Sequence, residues 1–115
     1  MAVMLRGMWL MSFARALALS SALVAFSAGA EPAAQVTIQH QQFSPADIEI
    51  RAGASVRWIN REKRTSHSVR FPKEGLESER MLPEETWERT FGTPGEYPYE
   101  CGPHPEMKGI VRVLP

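Results

Sequence analysis

Short runs of β-branched and aromatic residues, each closed by Gly, Pro, Asn or Ser, recur from residue 35 onward, and nothing there requires a long helix. The runs are Gln35–Ile38, Asp47–Arg51, Ser55–Asn60, His67–Phe71, Thr86–Phe91, Glu96–Cys101 and Gly109–Leu114. Within them Ile48 and Ile50, Val56 and Trp58, and Val111 and Val113 stand two apart, so each pair shares one sheet face. Ala52-Gly53-Ala54 and Thr93-Pro94-Gly95 fall between runs, where a tight reversal needs Gly or Pro dihedrals. The pattern predicts an all-β sandwich or barrel in a single domain. Trp58, Trp87, Phe91, Tyr97 and Tyr99 read as its core and sheet aromatics. Pro72–Glu85, polar and charged, is the least determined stretch and reads as a loop with one short helical turn. Pro98 is unusual inside a strand, and its nitrogen is expected to face away from the neighbouring strand.

The first thirty residues differ from the rest. Arg6 and Arg15 flank an early apolar stretch, Ala16–Ala28 is a run of Ala, Leu, Val, Phe and Ser, and Ala28-Gly29-Ala30 has the small-x-small form of a cleavage site. Residues 1–30 read as a cleaved export signal and residues 31–115 as the mature domain, placed in the periplasm. The rival reading is an uncleaved anchor, but the apolar run falls short of the roughly 20 residues a helix needs to cross a bilayer. A domain of the remaining size buries only about 60–65% of its unfolded surface. With a single cysteine it has no internal disulfide, so a bound metal would add useful stability. The leader holds basic but no acidic residues, which leaves the mature chain slightly negative and without the basic stripe that nucleic acid calls for.

The chemically informative stretch is Tyr97 to Gly109. Cys101, His104 and Met107 stand three apart on what must be a loop, since Gly102, Pro103 and Pro105 forbid a regular helix. A thiolate, an imidazole and a thioether, joined by one more imidazole, make the trigonal His₂Cys site with a long axial Met that selects copper and transfers electrons. The only histidines are His40, His67 and His104. His67 opens a predicted strand directly after the polar turn Arg61–Ser66, which suits it to the end of the sandwich. His40 lies among glutamines and reads as a surface residue.

On these residues the chain resembles the plastocyanin and amicyanin branch of the cupredoxins. The shared features are Trp58-Ile59-Asn60, His67, the Gly-x-Tyr-x-Tyr-x-Cys strand from Gly95 to Cys101, the Cys-x-x-His-x-x-Met loop and a closing Gly-x-Val-x-Val from Gly109 to Val113. The very short ligand loop is closest to amicyanin. The resemblance implies an eight-stranded Greek-key sandwich with one type 1 copper ion held at one end by His67, Cys101, His104 and Met107. It implies a carrier of single electrons with a periplasmic dehydrogenase as donor and a c-type cytochrome as acceptor. An enzyme is not expected, since three histidines cannot build a multicopper cluster, and the chain reads as a monomer with no membrane span once the leader is removed. One departure stands out: Ser68 follows the first histidine where the family usually has Asn, whose side chain ties the two ligand segments together. A hydroxyl can make such a bond with shorter reach. A copper carrier or delivery protein is the alternative reading; such proteins tend to display several methionines or histidines, whereas residues 31–115 hold only Met81 and Met107. The run Arg61-Glu62-Lys63-Arg64 reads as a solvated turn, with orientation of a partner as the alternative because it lies next to His67.

Overall fold

The computed structural model describes residues 31–115, and the expected leader lies outside them. The strands are β1 (Ala34–Gln39), β2 (Gln42–Ser44), β3 (Asp47–Arg51), β4 (Ser55–Asn60), β5 (Arg70–Phe71), β6 (Leu76–Glu77), β7 (Thr86–Thr90), β8 (Gly95–Glu100) and β9 (Lys108–Leu114). Among the described residues they form a four-stranded sheet in the order β2-β1-β4-β7 and a five-stranded sheet in the order β3-β9-β8-β5-β6. This is the two-sheet β-sandwich that the alternating runs predict, with β2 and β6 as short additions and one strand more than the eight the resemblance implies.

Alternation sends one side of each strand inward. Val36, Ile38, Val56 and Trp58 from the first sheet meet Ile48, Ile50, Tyr99, Val111 and Val113 from the second, all buried. Trp58 sits at the middle, edge-on to Tyr99 at 5.4 Å and to Phe71 at 6.2 Å between ring centroids. Such aromatic pairs add about 0.5–1.5 kcal/mol each beyond the area they bury. Arg89 on β7 closes one flank: its guanidinium lies 4.4 Å over the Phe71 ring and 4.5 Å over Phe91, with both outer nitrogens on the Glu74 carboxylate.

Two pairings are parallel and distant in sequence, β1 with β4 and β3 with β9. β9 lies between β3 and β8 and so completes the larger sheet. Within the β8–β9 ladder the Cys101 amide donates to the Met107 carbonyl. Antiparallel alternation then makes Pro98–Ile110 a pair without mutual hydrogen bonds, so the Pro98 nitrogen faces away from β9 as expected.

The structure departs from the sequence reading in two places. Only Arg70–Phe71 of the expected strand His67–Phe71 pairs as a strand; His67 instead makes an isolated antiparallel bridge with Met81. The intervening polar groups are committed elsewhere, since the Val69 amide donates to Ser78 Oγ and the Ser68 hydroxyl to Glu77. Pro72–Glu85 is not all loop: Phe71 and Pro72 accept from Glu74 and Gly75 in one tight turn, and the stretch also holds β6, which folds back on β5. His40 is exposed as expected, and with Gln41 it forms the two-residue turn of the β1–β2 hairpin. Both adopt positive φ, 55° and 53°, the backbone that such a turn requires and that glycine usually supplies.

Candidate metal centre

At the end of β4, Asn60 is fully buried and organises the turn that follows. Its Nδ2 donates to the carbonyls of Thr65 and Met81, at 2.8 and 2.9 Å, and its Oδ1 accepts from the Glu62 amide at 3.0 Å. A buried amide with its hydrogen bonds met holds one conformation, and here that conformation returns the chain to the sandwich at His67. The bridge to Met81 then clamps the His67 backbone on both sides, at 3.2 and 2.8 Å.

The other three residues come from the connection between β8 and β9. Met107 donates its amide to the His104 carbonyl at 2.9 Å and accepts from the Cys101 amide at 3.0 Å, which closes the loop on itself. Pro103 and Pro105 stiffen it on both sides of His104. Cys101 and Met107 are buried, while His104 keeps part of its surface open to solvent.

These segments bring Cys101 Sγ to 3.5 Å from His67 Nδ1 and 3.6 Å from His104 Nδ1. The three donor atoms lie within 4.8 Å of one another. Metal–nitrogen and metal–sulfur bonds of about 2.0–2.3 Å spread at 120° hold their donor atoms about 3.7 Å apart, so the two short distances suit a shared ion. Met107 lies in the same loop and is buried as part of the core cluster that also holds Cys101.

Burial shapes the electrostatics. It lowers the pKa of His67 from the usual imidazole value, helped by His104 and Arg80 and opposed by Glu62. It raises that of the Cys101 thiol, against backbone amides of Ser68 and His104 that favour the thiolate. A neutral imidazole is already in ligating form, whereas the thiol must lose its proton to a cation that takes its place. The outward His67 Nε2 lies 3.4 Å from Glu62 Oε1, an electrostatic contact short of a formed hydrogen bond. The same carboxylate oxygen accepts from the Gln41 amide at 2.7 Å, which links the β1–β2 turn to the buried histidine.

Three of the four residues singled out in the sequence, His67, Cys101 and His104, therefore come together, Met107 is buried in the same loop, and His40 stays apart in its exposed turn. Asn60, Glu62 and Glu77 were not foreseen as parts of this end. An Asn closing a strand just before the turn that leads to a ligand is a usable signal for the first, but the two glutamates sit among many exposed acids and carry none.

A family model described as a Cupredoxin-like domain matches residues 2–113. Amicyanin-alpha of Methylorubrum extorquens is 36% identical, over 90% of this chain and 97% of its own length. Amicyanin of Paracoccus denitrificans is 34% identical, over 73% and 67%. The solved Cu(I) form of a methionine-to-alanine variant of amicyanin superposes with a TM-score of 0.69 at 32% identity, over 76% of this chain and 88% of that one. Residue pattern, sandwich and clustered donors thus agree with the family match, and the chain belongs to the cupredoxin-like family.

Proposed function

We propose that His67, Cys101, His104 and Met107 hold one type 1 copper ion and that the protein is a blue-copper carrier of single electrons between redox proteins. The observation that carries this reading is the near-equal approach of two imidazole Nδ1 atoms, 3.5 and 3.6 Å, to one buried thiol. Bound copper supplies reversible one-electron chemistry between Cu(I) and Cu(II). The chain's own residues do the rest. His67 and Cys101 sit out of water in a frame held by Asn60 and Met81. Met107 would supply a weak thioether donor to the ion, and His104, only partly buried, would be the donor nearest a docked partner. Contacts with partners are weak and transient, as electron-transfer encounters usually are.

Residues 1–30 act as an export signal in this reading, and residues 31–115 work as a monomer in the periplasm. Among the described residues no helix is long and apolar enough to cross a membrane. The resemblance to amicyanin supports a periplasmic dehydrogenase as electron donor and a c-type cytochrome as acceptor. One observation weighs against copper delivery: Met81 is buried with its backbone bridged to His67, so it is not displayed to collect copper(I). Enzymatic copper chemistry needs an open substrate position or further metal sites, and His40, the one spare histidine, lies in an exposed turn.

Visible absorption and EPR spectra of the copper(II)-loaded protein, then ascorbate, test the reading. An intense red-region band with small copper hyperfine splitting, bleached by reductant and restored by oxidant, is expected. A pale species that passes its copper to an acceptor without reversible bleaching would establish the delivery reading instead.

A further inference from the structure

The hydroxyl of Ser68, almost fully buried next to His67, stands at the centre of a short polar chain. It donates to Glu77 Oε1 at 2.8 Å and accepts from the Gly102 amide at 3.1 Å. Ser68 precedes the ligand loop by more than thirty residues, and Gly102 directly follows Cys101. The two bonds therefore join the segment that carries His67 to the loop that carries the thiol and the second histidine.

We propose that Glu77 is a positioning residue for the metal centre: through Ser68 its carboxylate pins the Gly102 amide, and with it the ligand loop, against the His67 segment. This rests on the copper reading. A serine hydroxyl has one proton and can turn it toward any acceptor. Giving that proton to Glu77 leaves the oxygen lone pairs to face Gly102, so the carboxylate decides which way the bond to the loop points. Chains of this kind polarise one another, and an ionised acceptor at the end strengthens each link. The carboxylate thereby makes up for the shorter reach of Ser where the family usually has Asn.

Two further features support the assignment. A Cβ on residue 102 would stand 1.8 Å from Glu77 Oε1 and 2.6 Å from Ser68 Oγ, so the carboxylate lies directly against the loop backbone and only glycine leaves it room. The main chain delivers it there by register: Arg70 pairs with Glu77 and Phe71 with Leu76, while the Ser78 amide donates to the Val69 carbonyl at 2.8 Å. Thus β6, only two residues long, ends in a side chain that reaches the metal end of the molecule.

The test separates the hydrogen bond from the charge. In the metal-free protein, Glu77→Ala is expected to speed hydrogen exchange of the Gly102 amide about tenfold while the Val36 and Val111 amides keep their rates. In the copper-loaded protein it should speed copper loss to a competing chelator about tenfold, the low end of what outer-shell changes cost. Glu77→Gln keeps an acceptor for Ser68, so Gly102 stays protected. It also removes a negative charge that favours the more positive oxidised site, so the reduction potential moves upward. Gly102 exchange and copper loss both within twofold of the parent in Glu77→Ala would overturn the proposal. Because Gly102 exchange is read without metal, failure of the copper reading alone would leave that result intact.

Discussion

His104 differs from the other donors in the freedom left to it. His67 is locked by its bridge to Met81 and Cys101 by the Met107 carbonyl, but His104 is only partly buried. Replacing it by glycine removes one donor and leaves the cavity that held it. His104→Gly is therefore expected to lose the intense blue band and to regain it when free imidazole is added, read by titration at the absorption maximum. A pale spectrum that imidazole does not restore would show that the ring is closed in. The candidate donors were legible in the sequence, because residues 31–115 hold one Cys, three His and two Met, and Cys101, His104 and Met107 stand among Gly and Pro residues that enforce a loop. Their supports were not legible. Glu62 reaches His67, and Glu77 reaches Ser68, only through backbone turns and register that no local pattern encodes.

At the scale of elements, two tight places invite measurement. The β1–β2 turn holds Gln41 at a positive φ, which costs a residue with a side chain roughly 1–2 kcal/mol. Its bond to Glu62 comes from the backbone amide, so Gln41→Gly keeps the bond and relieves the strain. A gain of about 1 kcal/mol in urea unfolding is expected. Gly109, at the start of β9, is the opposite case. A Cβ there would lie 2.3 Å from Tyr99 Cζ, and the Tyr99 ring is buried against Trp58 and Phe43 with no space to retreat. Gly109→Ala is expected to cost about 1–3 kcal/mol by overpacking, seen as a lower urea midpoint at unchanged slope. The longer strands were readable from alternation, as at Ile48 and Ile50 or Val111 and Val113. The two-residue β5 and β6 were not, because strands so short owe their existence to partners: Arg70 to Glu100 on one side and to Glu77 on the other.

For the molecule as a whole, the buried His67 ties stability to pH. Burial lowers its folded pKa below the value of about 6.5 that it takes in the unfolded chain. In the metal-free protein the unfolded state thus binds the proton first. Its contribution to stability is complete above about pH 6.5 and is lost as pH falls toward the folded pKa. Thermal unfolding of the metal-free protein should show a falling midpoint below that pH, and His67→Gln should flatten the decline.

The parallel pairing of β3 with β9 has a consequence in time. Asp47 meets Ile110 and Arg51 meets Leu114, so β9, which lies between β3 and β8 in the larger sheet, follows every other described element. Pairings so distant in sequence close slowly, since a long loop must be ordered before any contact rewards it. Until β9 leaves the ribosome, β3 and β8 have no neighbour between them and the donor loop has no second anchor. The four-stranded sheet can thus pair while the larger one still stands open, and the last strand to be made is the one that shuts the sandwich around its own core.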